Sequence, residues 1–209
     1  ELAASLACQV EAQSVHVTLN PVNDALLARA ESRLKAGVDR TADKSIAGIR
    51  NLLIDLDPVR ESGVSSTDAE HQAALDMAAI IKADLVSEGW PDPLPGDSGN
   101  DVHLIYAIDL PNTPETDDLV KASLQAMDLR YADQLAARGL DLDTAVYNPA
   151  RLTKLYGTWA RKGDDTQARP HRLSKVIHFP ERRTVAVELL KKLAATIPTE
   201  EKTKAPSSQ

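Results

Sequence analysis

The residues best suited to chemistry are two aspartates in the run Leu52-Leu-Ile-Asp-Leu-Asp57, which Pro58 closes. In a strand, alternate side chains share a face. Asp55 and Asp57 therefore point one way, while Leu52, Ile54 and Leu56 point the other, into a core. Adjacent carboxylates on a half-buried strand repel each other unless a cation neutralises them. A hard divalent ion such as Mg²⁺ does this with oxygen ligands and keeps water and substrate phosphates in its remaining positions. The plainer alternative is a pair of exposed acids at a strand end, held by Arg50 or Arg60. An Asp-x-Asp is short and also occurs in glycosyltransferases, so alone it names no reaction.

A second pair, Asp141 and Asp143, again shares a face, opposite Leu140 and Leu142. Either acid can come alongside Asp55 and Asp57 to complete a three-carboxylate site. Two metal ions about 3.5–4 Å apart stabilise the attacking and leaving oxygens of an in-line displacement. Taken alone, unpaired acids at a strand end are the simpler reading. The third piece is Ser98-Gly-Asn-Asp-Val-His103, a turn entering a strand. Its backbone N–H groups, hydroxyl and amide can all donate to phosphate. His103 opens that strand on the face of Ile105 and Ala107, where an imidazole can hold an oxygen of an incoming triphosphate. A core or surface histidine is the commoner fate of a lone His.

The fourth piece runs from Tyr147-Asn-Pro-Ala-Arg-Leu-Thr-Lys-Leu-Tyr-Gly-Thr158 through Arg161-Lys-Gly163 to Arg169-Pro-His-Arg172. Arginine forks match phosphate bidentately, and lysine adds a point charge. Between Arg151 and Arg183 nine lysines and arginines meet three acids, a local balance of +6 in a chain of net charge −7. Such asymmetry suits a phosphate-handling surface on an otherwise acidic domain, although a solvated basic surface reads the same way. Trp159 can stack on a base or ribose, or be an ordinary buried indole.

The elements that must position these groups follow from pattern. Val15 to Leu19 is β-branched and ends at Asn20-Pro21; a helix pattern runs from Asn23 to Lys35, with Gly37 as its stop. Thr67-x-x-Glu70 is a capping box opening a long helix to about Ser87. The stretch from Gly89 to Gly96, with three prolines, predicts an irregular connection. Val102 to Asp109 predicts a strand, Pro114 a helix start running to about Arg138-Gly139, Leu140 to Ala145 a short strand, and Arg183 to Ala195 a last helix. Strands alternating with helices predict a mixed α/β (α+β) domain with helices packed on a sheet.

At 209 residues and 43% hydrophobic, the chain can bury a substantial core. We expect one domain over residues 1–197 and a polar tail or linker over 198–209; an opening Glu1 suggests a piece of a longer protein. The single cysteine, Cys8, excludes an internal disulfide framework and a four-cysteine zinc module. No apolar run approaches the roughly 20 residues that span a bilayer, so the expectation is a cytoplasmic protein with no membrane partner.

In joint order and spacing, these pieces resemble the archaeo-eukaryotic primase (AEP) superfamily. The likeness runs from about Val15 to Ile177, and is greatest to primase-polymerase domains of phage and plasmid replication proteins and of some CRISPR-associated proteins. The resemblance implies a catalytic sheet related to the RNA-recognition-motif fold, with a smaller N-terminal α/β portion. It implies that Asp55, Asp57 and Asp143 are the catalytic acids and the ligands of Mg²⁺ or Mn²⁺. Ser98, Asn100 and His103 would hold the nucleoside triphosphate; Arg151, Lys154, Lys162, Arg169, His171 and Arg172 would contact phosphate or template. The implied activity is template-directed nucleotidyl transfer, as a DNA primase or DNA polymerase adding NTPs or dNTPs on single-stranded DNA with a primer. Helicase or CRISPR-associated domains are possible partners, fused or separate. The alternatives are a metal-dependent glycosyltransferase or phosphohydrolase using the Asp-x-Asp, and a non-catalytic DNA-binding module for replication initiation. One departure stands out: the turn commonly reads Ser-Gly-Asn-Gly in the family, and Asp101 replaces that last glycine. There is also neither a zinc-binding cluster nor a P-loop.

Overall fold

The structure, a computed structural model, describes residues 12–31 and 35–198. Cys8 and the tail beyond Pro198 lie outside the described residues. The centre is a five-stranded, fully antiparallel sheet built from β2 (Ile49–Pro58), β3 (Leu94–Asp97), β4 (Val102–Leu110), β5 (Leu140–Leu142) and β9 (Lys175–Val176), in the order β5-β2-β4-β3-β9. Two smaller antiparallel pairs flank it. β1 (His16–Thr18) joins β6 (Leu152–Lys154), and β7 (Trp159–Ala160) joins β8 (Arg172–Leu173).

One face of the sheet is a dry core. Leu52, Ile54 and Leu56 of β2 and Val102, Leu104, Tyr106 and Ile108 of β4 are all buried. Against them pack α1 (Asp68–Ser87) through Met77, Ile81 and Leu85, and α2 (Pro114–Ala136) through Leu124, Met127, Tyr131 and Leu135. The spacing of three and four residues puts each set on one helical stripe. α3 (Val187–Ala194) packs on α2 with Leu190 and Leu193. The predicted capping box is present: Thr67 Oγ1 accepts from Glu70 N, and Glu70 accepts from Thr67 N. Asn20 shapes the entry to β2. Its side-chain oxygen accepts from both Arg50 N (2.8 Å) and Asn51 N (3.1 Å), where the register with β4 slips.

Several sequence expectations need correction. The helix expected over 23–35 is a short 3-10 helix, Asp24–Arg29, capped by Asn23; it buries no residue, so nothing extends it, and positions 32–34 lie outside the described residues. The connection expected over 89–96 contains β3 from Leu94 onward. Pro95 is tolerated there because its carbonyl accepts from Ile177 N on the β9 side, where its missing N–H would also point. The strand expected over 140–145 stops at Leu142, because Asp143 Oδ1 turns back to accept from Ala145 N at 2.8 Å. The last helix starts at Val187, since Val185 N is spent on Ala107 O. The short strands β6 to β9 escaped the pattern reading altogether.

Candidate active site

The face of the sheet away from the helices carries the acids. Asp55 of β2 stands opposite His103 of β4, which in turn stands opposite Gly96 of β3. On the other side, Asp143 N donates to Asp55 O at 3.1 Å, one position beyond the Leu56–Leu142 pair. Directly opposed residues project to the same face about 4.5–5.5 Å apart, so Asp55 and His103 form one row, which Asp143 extends from just past the end of β5. Asp57 lies in the next row, with Asp141 in register on β5. Asp141 is exposed and adds negative charge near Asp128 of α2, not near Asp55.

The acids are electrostatically loaded. The Asp55 side chain is 21% exposed, and its Oδ1 is buried with no hydrogen-bond partner among the described residues; His103 Nε2 lies 3.4 Å from it. Burial first, then the charges of Asp57 and Asp143, push its carboxyl up to about 7 against Arg151 and Lys162. Asp57 is also raised to about 7, by burial, by a hydrogen bond with Asp101 and by that residue's charge, with Arg60 opposing. Asp143 Oδ2 pairs with Arg151 at 2.8 Å.

Asp101, the departure in the turn, has a definite role. The nearly buried Arg60 side chain pairs with Asp57 through Nη1 and with Asp101 through Nη2 (3.0 Å), and is itself fixed by Val64 O and Pro58 O. Asp101 Oδ2 also accepts from Ser98 Oγ at 3.3 Å. Ser98 Oγ in turn accepts from Asp101 N at 2.8 Å, closing the turn on itself. Gly99, at φ +98°, is required: a Cβ there would meet Ala160 Cβ at 2.8 Å and Arg172 O at 3.0 Å.

A cavity of about 290 Å³ opens over this face. Asp55, Ser98, Asn100, Asp101 and His103 line it together with Lys154, Arg161 and Lys162. Asn100 gives its side-chain oxygen to Ser66 N (2.8 Å), which leaves its amide N–H₂ as the donor end. Lys154 is buried, with Nζ donating to Trp159 O (2.7 Å) and Ser14 Oγ (3.0 Å), and loss of hydration lowers its ammonium to about 8. His103 is buried too, and that burial drops its imidazole to about 4 against the pull of Asp57 and Asp97. It is therefore neutral near pH 7, with a single ring N–H.

The structure does not bring every candidate to the cavity. Arg151 reaches the row through Asp143. Arg169 instead holds both carboxylate oxygens of Glu70 and Ser65 O, at the start of α1. Arg172 clamps Ser66 O, Gly99 O and Asp68, and His171 meets Gly163 O. These three shape the walls without lining the space. The sequence reading gave no role to His16 or to Tyr156, whose hydroxyl lies 2.7 Å from His103 Nδ1; it named Arg60 only as a partner of exposed acids, a pairing Arg60 does make with Asp57, and Arg161 only within the basic run. Trp159 is 42% exposed with Arg161 over its ring, and the buried indole is Trp90, edge-on to Tyr106.

Among the described residues no three His, Cys, Asp or Glu side chains converge as a ready metal cage. The donor set still fits a hard cation. Asp55 offers an orphaned buried oxygen, and the charges of Asp57 and Asp143 beside it raise its proton affinity. Mg²⁺ is commonly held by one or two carboxylates, with substrate phosphates completing the shell.

No protein-family model matches the chain, and no curated protein matches it. Among solved structures it is similar to the AEP domain of the cyanophage S-2L primase-polymerase, at 13% identity and a TM-score of 0.36, over 73% of this chain and 64% of that one. It is similar also to the polymerase domain of Mycobacterium tuberculosis ligase D in complex with DNA, at 19% identity and a TM-score of 0.44, over 88% of this chain and 61% of that one. The chain spans less than two thirds of the length of each structure it matches. What it is similar to is thus a pair of polymerase-type domains, a likeness that at these TM-scores carries no argument about its chemistry.

Proposed function

We propose that the chain is the catalytic domain of a primase-polymerase, joining NTPs or dNTPs along a single-stranded DNA template. The observation that carries this reading is that Asp55 and His103 line one cavity together with Lys154, Arg161 and Lys162, while Asp143 and Asp57 stand beside Asp55 without lining that space. Acids and cations lining one open space suit a polyphosphate bridging them through a divalent ion. Asp55, Asp57 and Asp143 would hold Mg²⁺ or Mn²⁺, which when bound supplies charge neutralisation for the attacking and leaving oxygens.

The protein's own share is positioning and electrostatics. His103 and the Asn100 amide offer neutral donors to triphosphate oxygens, and Lys154, Arg161 and Lys162 add positive charge to the same cavity. Arg60 holds the Asp101 carboxylate, so this acid meets a fixed cation at the edge of the phosphate turn.

The test is primer extension on a single-stranded template, with either nucleotide set and Mn²⁺ or Mg²⁺, comparing wild type with Asp55→Asn and Asp57→Asn. Template-dependent product in wild type and its loss, by at least about 100-fold, in both folded variants is expected. Full activity of the variants overturns the assignment. Turnover of a sugar nucleotide or phosphoester without template would favour a glycosyltransferase or phosphohydrolase. DNA affinity indifferent to metal and acids, with no product, would mark a binding module.

A further inference from the structure

Tyr156 is the least expected neighbour of the site. It comes from the loop after β6, yet its hydroxyl reaches His103 Nδ1 at 2.7 Å, with the two rings edge to face at 5.9 Å and 62°. The contact is built into the sheet. Gly96 is the residue paired with His103 on β3, and a Cβ there would fall 2.0 Å from the Tyr156 hydroxyl oxygen and 2.2 Å from Cζ. The bare backbone at Gly96 is thus the berth in which the phenol lies. No other side chain at position 96 would leave the hydroxyl where it is.

The direction of the hydrogen bond follows from what faces the other nitrogen. His103 Nε2 looks toward Asp55 Oδ1 at 3.4 Å, an acceptor with no other partner among the described residues. A neutral imidazole carries one N–H and one lone pair. The N–H belongs at Nε2, toward the acceptor, which leaves the lone pair at Nδ1 for the Tyr156 O–H. Burial, and then the charge of Asp55, raise the phenol above its ordinary value, so it keeps its proton to donate.

We propose that Tyr156 is a positioning residue that donates to His103 Nδ1 and so locks the imidazole in its Nε2–H form, presenting an N–H donor to an anionic oxygen in the cavity. The choice of triphosphate oxygen as that anion rests on the function proposed above; the tautomer lock does not. A partner that fixes the ring and tautomer of a working histidine through its far nitrogen is a common device in metal and acyl-transfer sites. Here a phenol takes that role. Because its hydroxyl reaches the site through His103, Tyr156 should matter for nucleotide affinity and little for the transfer step at saturation.

The experiment uses Tyr156→Phe, which keeps the ring in its berth and removes only the hydroxyl, beside His103→Ala and the double variant. The first readout needs no nucleotide: ¹⁵N-histidine NMR of the free protein, with His103→Ala assigning the signals. Wild type should show a single Nε2–H tautomer at His103, and Tyr156→Phe a mixture or the Nδ1–H form. The second is steady-state extension, where Tyr156→Phe should raise the nucleotide KM roughly 5–10-fold and change kcat less than about 2–3-fold, while the double variant matches His103→Ala. A retained single Nε2–H tautomer in Tyr156→Phe, or losses that add in the double variant, overturns the proposal. Wild type that shows the lock but binds no triphosphate overturns the function reading and leaves the lock standing.

Discussion

Removing the charge of Asp55 should make the metal-free protein more stable at alkaline pH. Folding lifts this carboxyl from 3.8 to about 7, chiefly because burial strips its hydration and then because Asp57 and Asp143 add negative charge. Between those values the folded chain keeps a proton that the unfolded chain has released. The contribution is therefore fully present below about pH 4 and lost as pH rises through about 7. At about 1.36 kcal/mol per pH unit, the displacement is worth up to about 4 kcal/mol, a large part of the ~5–15 kcal/mol that holds a domain folded. Asp55→Asn is neutral throughout. It should match wild type near pH 4 and melt higher at pH 8.5, by up to roughly 8–16 °C for a domain of this size. Thermal melts in chelator from pH 4 to 9 measure this directly. Adding Mg²⁺ or Mn²⁺ at pH 8.5 should then raise the wild-type midpoint and leave the variant where it was. Parallel wild-type and Asp55→Asn curves across the whole range would refute the electrostatic reasoning.

Two further outcomes bear on the walls of the cavity. Lys154 titrates near 8 because burial disfavours its charge, so Lys154→Met should weaken triphosphate affinity about 10-fold at pH 7 and much less at pH 9.5; fluorescence titration at the two pH values checks it. Arg172→Ala strips the guanidinium from Ser66 O, Gly99 O and Asp68. It should cost about 1–3 kcal/mol in urea unfolding through stranded acceptors.

The dry half of the sheet was legible because its rule is local. Leu52, Ile54 and Leu56 alternate with Asp55 and Asp57, and the structure seats the leucines and isoleucine in the core. The long helices announced themselves by Thr67-x-x-Glu70 and Pro114. β3 did not, because Pro95 and Gly96 carry the signature of a turn, and only the neighbours β4 and β9 make that backbone a strand. β6 to β9 are two or three residues long and owe their existence to long-range partners. The chemistry divides along the same line. Which acids share a face is a matter of periodicity, whereas Tyr156 reaching His103, Arg60 bridging Asp57 to Asp101, and Arg169 turning to Glu70 are contacts that no spacing encodes. Basic residues read alike whether they face a cavity or brace a helix, which is why Arg169, His171 and Arg172 could not be told from Lys154 and Lys162.

The pairing of β1 with β6 puts His16 against Lys154, and Asp143 meets Asp55 only through β5. The cavity is therefore stitched from near the beginning, the middle and the later third of the described chain. Synthesis must pass Lys162 before the lining of the cavity is complete. Products truncated before that point leave the cavity unbuilt. A protein organised this way cannot build its cavity while still half made.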